Sequence, residues 1–166
     1  LARIELDLGH LEEARTLMQK ALTIFEQVHD TNHPALAESY SSLATIERDL
    51  GRLDKARTLT QQAIAIDEAT HEEDHPILTI RYGNLAIIEQ DLGRLEEART
   101  LMQKAIQIEE IAFDAGHPNL ANRYANLARI EQDLGRLEAA RKLMQKALST
   151  KKEQASNPDH ACTLPI

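Results

Sequence analysis

His71-Glu72-Glu73-Asp74-His75 is the one stretch whose residue types and spacing spell out a reaction. On a continuous helix, HExxH sets two imidazoles one turn apart to hold zinc, with the glutamate as general base for the metal-bound water. Here Pro76 follows at once, and a proline opens a helix more readily than it continues one. The corresponding stretches read His29-Asp30-Thr31-Asn32-His33 and Phe113-Asp114-Ala115-Gly116-His117, so the glutamate does not recur. A histidine ahead of a helix-starting proline reads as a packing or capping residue. Adventitious metal binding by His29 and His33, or by His71 and His75, is the lesser alternative. No metal site, cofactor or catalytic residue is expected.

The other routes to catalysis are equally thin. Every glycine except Gly83 and Gly116 belongs to a recurring helix-turn signal, so none builds a phosphate loop. No serine stands in a nucleophile-elbow context. Carboxylates are many, but they fall three or four residues from Arg or Lys, the pattern of a solvated helix face. The expectation is a protein that is not an enzyme.

The elements that carry these residues are set by an internal repeat. Glu89 to Ile108, EQDLGRLEEARTLMQKAIQI, has near-copies starting at Glu5, Glu47 and Glu131. Gly9, Gly51, Gly93 and Gly135 are spaced by 42 each time, and His33-Pro34, His75-Pro76 and His117-Pro118 keep the same register. A fixed period of this length marks a solenoid, in which each unit buries its apolar face against the next. Residues 11 to about 28 read as one helix, with Leu11, Ala14, Leu17, Met18, Ala21 and Leu22 along one face. Pro34 starts the next, which runs to Leu50 before a left-handed cap at Gly51. Later pairs span about 77–92 with 95–112 and about 118–134 with 137–152. Turns of two or three residues within a pair make its helices antiparallel. Residues 1 to 8 match the second half of a helix whose first half is missing, so the chain reads as a fragment. Residues 153–166 read as an irregular tail.

Composition excludes several classes. The net charge is -8, whereas a nucleic-acid surface needs a basic stripe to replace counterions. Five scattered aromatics, 3% of the chain, make no base-stacking platform. Cys162 stands alone, so neither a disulfide framework nor a cysteine-rich zinc site is available within one chain. No apolar run reaches the eighteen or so residues of a membrane span. With no signal peptide either, the expected location is cytoplasmic, away from membranes.

With the pairs laid out, the chain resembles a tetratricopeptide-repeat (TPR) protein. The residues that carry the resemblance are Tyr40, Leu43, Ala44, Gly51, Ala56, Leu59 and Ala63. They recur as Tyr82, Leu85, Ala86, Gly93, Ala98, Leu101 and Ala105, and as Tyr124, Leu127, Ala128, Gly135, Ala140, Leu143 and Ala147. The 42-residue period, the His-Pro signal and an Asn-Leu-Ala inside the first helix are similar to the kinesin-light-chain type. The resemblance implies an all-α, right-handed superhelical solenoid of antiparallel helix pairs over residues 1–152. Its units would be a truncated first one and repeats at about 35–76, 77–118 and 119–152.

The resemblance also implies a concave wall, lined by the first helix of each pair, that holds a protein or an extended peptide. By position, its candidates are Ser42, Thr45 and Arg48, then Gly83, Asn84, Ile87 and Gln90, then Asn122, Asn126 and Arg129. Arg3 would serve the truncated unit. Asn84 and Asn126 match the asparagines with which family members bond a ligand's main chain, an amide being donor and acceptor at once. Gly83, in a row with Ser41 and Ala125, makes room for a ligand backbone or for an adjacent helix. The alternative role for both asparagines is a structural hydrogen bond between repeats.

One departure is systematic. Glu5, Glu47, Glu89 and Glu131 replace the usual second aromatic, and Arg15, Arg57, Arg99 and Arg141 follow ten residues later. An acid on the edge of a packed stripe is costly unless paired. A ladder of Arg to these glutamates, or to neighbouring Asp7, Asp49, Asp91 and Asp133, is expected, against two solvated rows. The functional reading is a peptide-binding scaffold. The alternative is a structural segment that associates end to end, or belongs to a larger protein such as a regulatory ATPase.

Overall fold

A computed structural model describes residues 10–112 and 117–156, with side chains except at 118 and 153–156. The expectations for residues 1–8, including Arg3, Glu5 and Asp7, and for 157–166, including Cys162, lie outside the described residues.

The described chain holds seven helices and no strand: α1 (Leu11–Val28), α2 (Pro34–Asp49), α3 (Leu53–Thr70), α4 (Pro76–Asp91), α5 (Leu95–Ala112), α6 (Pro118–Asp133) and α7 (Leu137–Ser156). The last outlasts its apolar stripe by a turn, ending at Ser156 rather than near Lys152.

The recurring residues cap both ends of α2 and α4, the first helices of their pairs, and the C-terminal end of α6. Pro34 and Pro76 open α2 and α4, where a missing N–H costs nothing. One residue earlier, Nδ1 of His33 accepts the N–H of Ala35 at 3.1 Å, and that of His75 accepts Ile77 at 3.3 Å. At the other end Gly51, Gly93 and Gly135 take φ values of +74, +76 and +75°. That left-handed turn lets Arg52 N–H reach Glu47 C=O and Gly51 N–H reach Arg48 C=O, both at 2.8 Å. The two bonds form a Schellman cap, and α4 and α6 end in the same way.

Contact is most extensive within the pairs α2–α3, α4–α5 and α6–α7, and weaker across α1–α2, α3–α4 and α5–α6. Among the described residues every substantial helix contact joins sequence neighbours, so the chain is a solenoid and not one closed bundle. Ala56, Ala98, Ala63 and Ala105 are fully covered, which lets neighbouring backbones approach closely. Around them the core straddles unit boundaries. Ala98, Met102 and Ile106 of α5 pack with Leu120, Tyr124, Leu127 and Ile130 of α6. Ile64 of α3 packs with Leu78, Tyr82 and Leu85 of α4 in the same way. Each fully buried Leu or Ile contributes about 1.5–3 kcal/mol, so a unit draws much of its stability from its neighbour.

Candidate functional site

The glutamate row is buried and paired. Glu47, Glu89 and Glu131 are each 2% exposed. Arg15, Arg57 and Arg99 donate from Nε to them at 2.7, 2.6 and 2.6 Å. The partner is therefore the arginine of the preceding unit, not the one ten residues later, and the pairs join α1 to α2, α3 to α4 and α5 to α6. A second cation comes from the turn: Arg52, Arg94 and Arg136 stand 3.4, 3.3 and 3.6 Å from the other carboxylate oxygen. The Schellman cap itself turns that arginine back over the glutamate. Of the aspartates, Asp49 pairs with its neighbour Arg48, and Asp133 accepts from Gln90.

A second set of buried charges escapes a sequence reading of single units. Arg81 of α4 is 4% exposed and donates to Asp67 of α3 at 2.7 Å and to Glu38 of α2 at 3.2 Å. One unit on, Arg123 of α6 bonds Glu109 of α5 and Thr79 of α4. Glu109 also meets His117 Nδ1 at 3.1 Å, so His117 does not cap its helix as His33 and His75 do. A Cβ at Gly83 would sit 2.1 Å from Arg123 Nη1. Gly83 is buried beside that guanidinium, which would have to shift to admit a side chain there. The signal was present in sequence, since Arg81 and Arg123, and Asp67 and Glu109, keep the 42-residue register.

A third row holds the tyrosines. Tyr40 donates to Glu26 at 2.8 Å, and Tyr82 and Tyr124 donate to Glu68 and Glu110. Lys104 and Lys146 lie over the rings of Tyr82 and Tyr124, 4.2 and 4.3 Å from their centroids. Burial first, then the hydrogen bonds to the carboxylates, raise all three phenols above their ordinary value. Burial works to raise Glu110 as well, but bonds from Tyr124 and Lys146 overcome it and hold that carboxyl low. Lys146 is raised because its bonds to Tyr124 and Glu110 outweigh the effect of burial.

The HExxH residues fall on two elements. His71 caps the C-terminus of α3 and contacts Asp67 C=O at 3.2 Å, while His75 caps the N-terminus of α4. Their ring centroids are 4.1 Å apart, and no single helix carries both as the zinc-peptidase pattern requires. Among the described residues no group of three or more His, Cys, Asp or Glu side chains could hold a metal ion. No described helix is long and apolar enough to cross a membrane.

The groove candidates lie on α2, α4 and α6, the first helix of each pair. Ser42, Asn84 and Asn126 share one register and are half-buried, and three residues on come Thr45, Ile87 and Arg129. Thr45 and Arg129 are exposed, whereas Ile87 leans on the core. Arg129 donates to Gln90 Oε1 at 3.2 Å, so with Asp133 these side chains cross-link α4 and α6 along one edge. Asn122 is exposed near the other end of α6. Among the described residues neither Asn84 nor Asn126 has a side-chain hydrogen-bond partner.

Comparison with known proteins places this geometry. The family model of the MalT-like TPR region matches residues 1–164. No curated protein matches the chain. Among solved structures, the kinesin-light-chain-type protein of Podosopora anserina with nearly identical TPR-like repeats superposes with a TM-score of 0.83 at 26% identity, over 95% of this chain and 73% of that one. BtubC (BKLC) from P. vanneervenii superposes with a TM-score of 0.87 at 18% identity, over 100% of this chain and 67% of that one. MamA gives 0.71 at 20% identity, over 95% and 78%. The last two likenesses are of fold.

Proposed function

The chain belongs to the MalT-like TPR family, and from that premise we propose that it is a non-catalytic scaffold holding an extended peptide along α2, α4 and α6. The observation that carries the reading is the pair Asn84 and Asn126, one unit apart, with side-chain amides that no described residue engages. A free amide at that register offers a donor and an acceptor to a ligand's main chain. Ser42, Thr45, Arg48, Ile87, Gln90, Asn122 and Arg129 are the groove's other proposed contacts. Gly83 serves it indirectly, beside the guanidinium of Arg123. The lining mixes Arg48 and Arg129 with Asp49 and Asp91.

The test begins with a peptide array that yields a groove ligand. Two main-chain hydrogen bonds, each worth about 0.5–1.5 kcal/mol net, predict that Asn84→Ala with Asn126→Ala weakens binding roughly 5- to 150-fold. Helicity by circular dichroism should be unchanged. Equal affinity of the double variant for a ligand that competes at the groove would remove the asparagines from it. The family model favours a compatible second reading, in which this array is the repeat region of a larger regulatory protein. For that reading, the groove ligand would be part of the signal the parent responds to.

A further inference from the structure

Two units complete the tyrosine row with a lysine, and the unit of Tyr40 does not. Lys104 Nζ lies 4.2 Å from the Tyr82 ring centroid, donates to the Tyr82 hydroxyl at 2.6 Å and stands 3.8 Å from Glu68. Lys146 repeats the arrangement on Tyr124, 4.3 Å from the centroid and 2.9 Å from Glu110. The negative face of the ring, the phenol oxygen and the carboxylate all attract the ammonium. Tyr40 and Glu26 form the same pair, hydrogen-bonded at 2.8 Å. At the register of Lys104 and Lys146, however, their unit carries Gln62, which is exposed. Among the described residues Gln62 makes no hydrogen bond, and no ammonium lies over Tyr40. Tyr40 is accordingly half-buried, whereas Tyr82 and Tyr124 are 3% and 2% exposed.

The surroundings of Tyr40 favour a cation. Glu26 is exposed and lies in the last turn of α1, where no basic residue offsets the negative end of the helix dipole. Asp30 follows in the next loop and is exposed as well. Met18, Phe25 and Leu59 are half-buried around the same core cluster as Tyr40, and such apolar surface suits the methylene stem of a long side chain. We propose that Tyr40 and Glu26 receive a lysine side chain from a partner protein, its ammonium resting on the Tyr40 ring as Lys104 and Lys146 rest on theirs. The chain itself shows the fit twice, with ring, hydroxyl and carboxylate at fixed places. A lysine is favoured over an arginine because its ammonium is a compact point charge with three donors, whereas a planar guanidinium spreads its charge over a fork. The site shares no residue with the proposed peptide groove, so it stands whether or not that reading does.

The test uses the chain of residues 1–166 with isotope-labelled tyrosine, so that nuclear magnetic resonance reads Tyr40, Tyr82 and Tyr124 separately. The probe is a capped pentapeptide with one lysine between alanines, compared with its norleucine and arginine counterparts. The lysine peptide should shift the Tyr40 ring signals saturably and leave those of Tyr82 and Tyr124 in place. The norleucine peptide should have no effect, and the arginine peptide should bind more weakly. Glu26→Gln should weaken lysine binding about tenfold. Gln62→Lys supplies the ammonium from within the chain, so it should abolish binding and move the Tyr40 signals by itself towards their bound position. Glu26 and Gln62 are exposed, so both variants keep the fold, which circular dichroism checks. No saturable shift up to the solubility of the peptide, equal shifts of all three tyrosines, or binding that survives Gln62→Lys overturns the proposal. An equal response to norleucine makes the contact merely apolar, and equal or tighter binding of arginine gives the site to a guanidinium; either result overturns it too.

Discussion

Replacing Arg57 by methionine tests whether the ladder holds the solenoid together. Glu89 is 2% exposed and would keep only Arg94 Nη1, 3.3 Å away, as a cation partner. Removing one member of a fully buried pair costs about 3–5 kcal/mol, because the remaining charge is stranded. The Arg57 side chain is 35% exposed, so part of that attraction is already screened by water. The expected cost is therefore lower, about 2–3 kcal/mol by the same reasoning. Glu89→Leu should cost less, about 1–2 kcal/mol, since both arginines can then turn to solvent. The double variant puts methionine against leucine and should lie within about 1–2 kcal/mol of wild type. The coupling energy between the two sites is thus about 2 kcal/mol. Urea unfolding followed by far-UV circular dichroism would measure it. The curves should be fitted with unit and interface contributions, because a repeat array need not unfold in one step. A loss below about 0.5 kcal/mol for Arg57→Met, or strictly additive single costs, would show that the row is no more than surface charge.

Three further outcomes follow from the caps and the tyrosine row. His75→Ala removes the acceptor for Ile77 N–H and should cost about 1 kcal/mol, read as faster hydrogen exchange in the first turn of α4 and nowhere else. Gly93→Ala meets nothing within 4 Å, so its cost is the left-handed backbone alone, about 1–2 kcal/mol. Gly93→Asn should cost measurably less in the same thermal melts, since asparagine tolerates that conformation. The third outcome concerns alkaline pH. Tyr40, Tyr82 and Tyr124 are raised above 10.0, and Lys146 above 10.5. A raised group stabilises the fold fully below its unfolded value and loses that contribution as pH climbs through the folded one. Stability should therefore fall above pH 10, with tyrosine ionisation by absorbance lagging that of a free phenol. Tyr82→Phe should flatten the fall, and an unchanged slope would refute the assignment. Glu110 has the opposite sign: being held low, it contributes above its ordinary value and loses this as pH drops through the lowered one.

The sequence alone determined the architecture, because a 42-residue period with glycine and His-Pro in fixed phase leaves little freedom. Helix lengths follow from Pro34 and Gly51 and their copies, and the apolar stripe between them decides which face is buried. These signals are local: each is a property of a few adjacent residues, so one unit suffices to read them. It also showed that Glu47, Glu89 and Glu131 demand a partner, since a buried acid without one is too costly. Which arginine answers was a tertiary decision. Arg57 lies closer in sequence to Glu47, but the stacking of units brings it to Glu89. The same holds for the guanidinium of Arg123, which the next helix brings against Gly83, and for Arg81, bridging Asp67 and Glu38. The groove stands between these cases. Periodicity placed Asn84 and Asn126 at one register of successive first helices, but only the packed structure could tell whether neighbouring repeats use up their amides. The physical reason is common to all: the repeat fixes which side of a helix a residue occupies, while the offset between successive units decides which neighbour it meets.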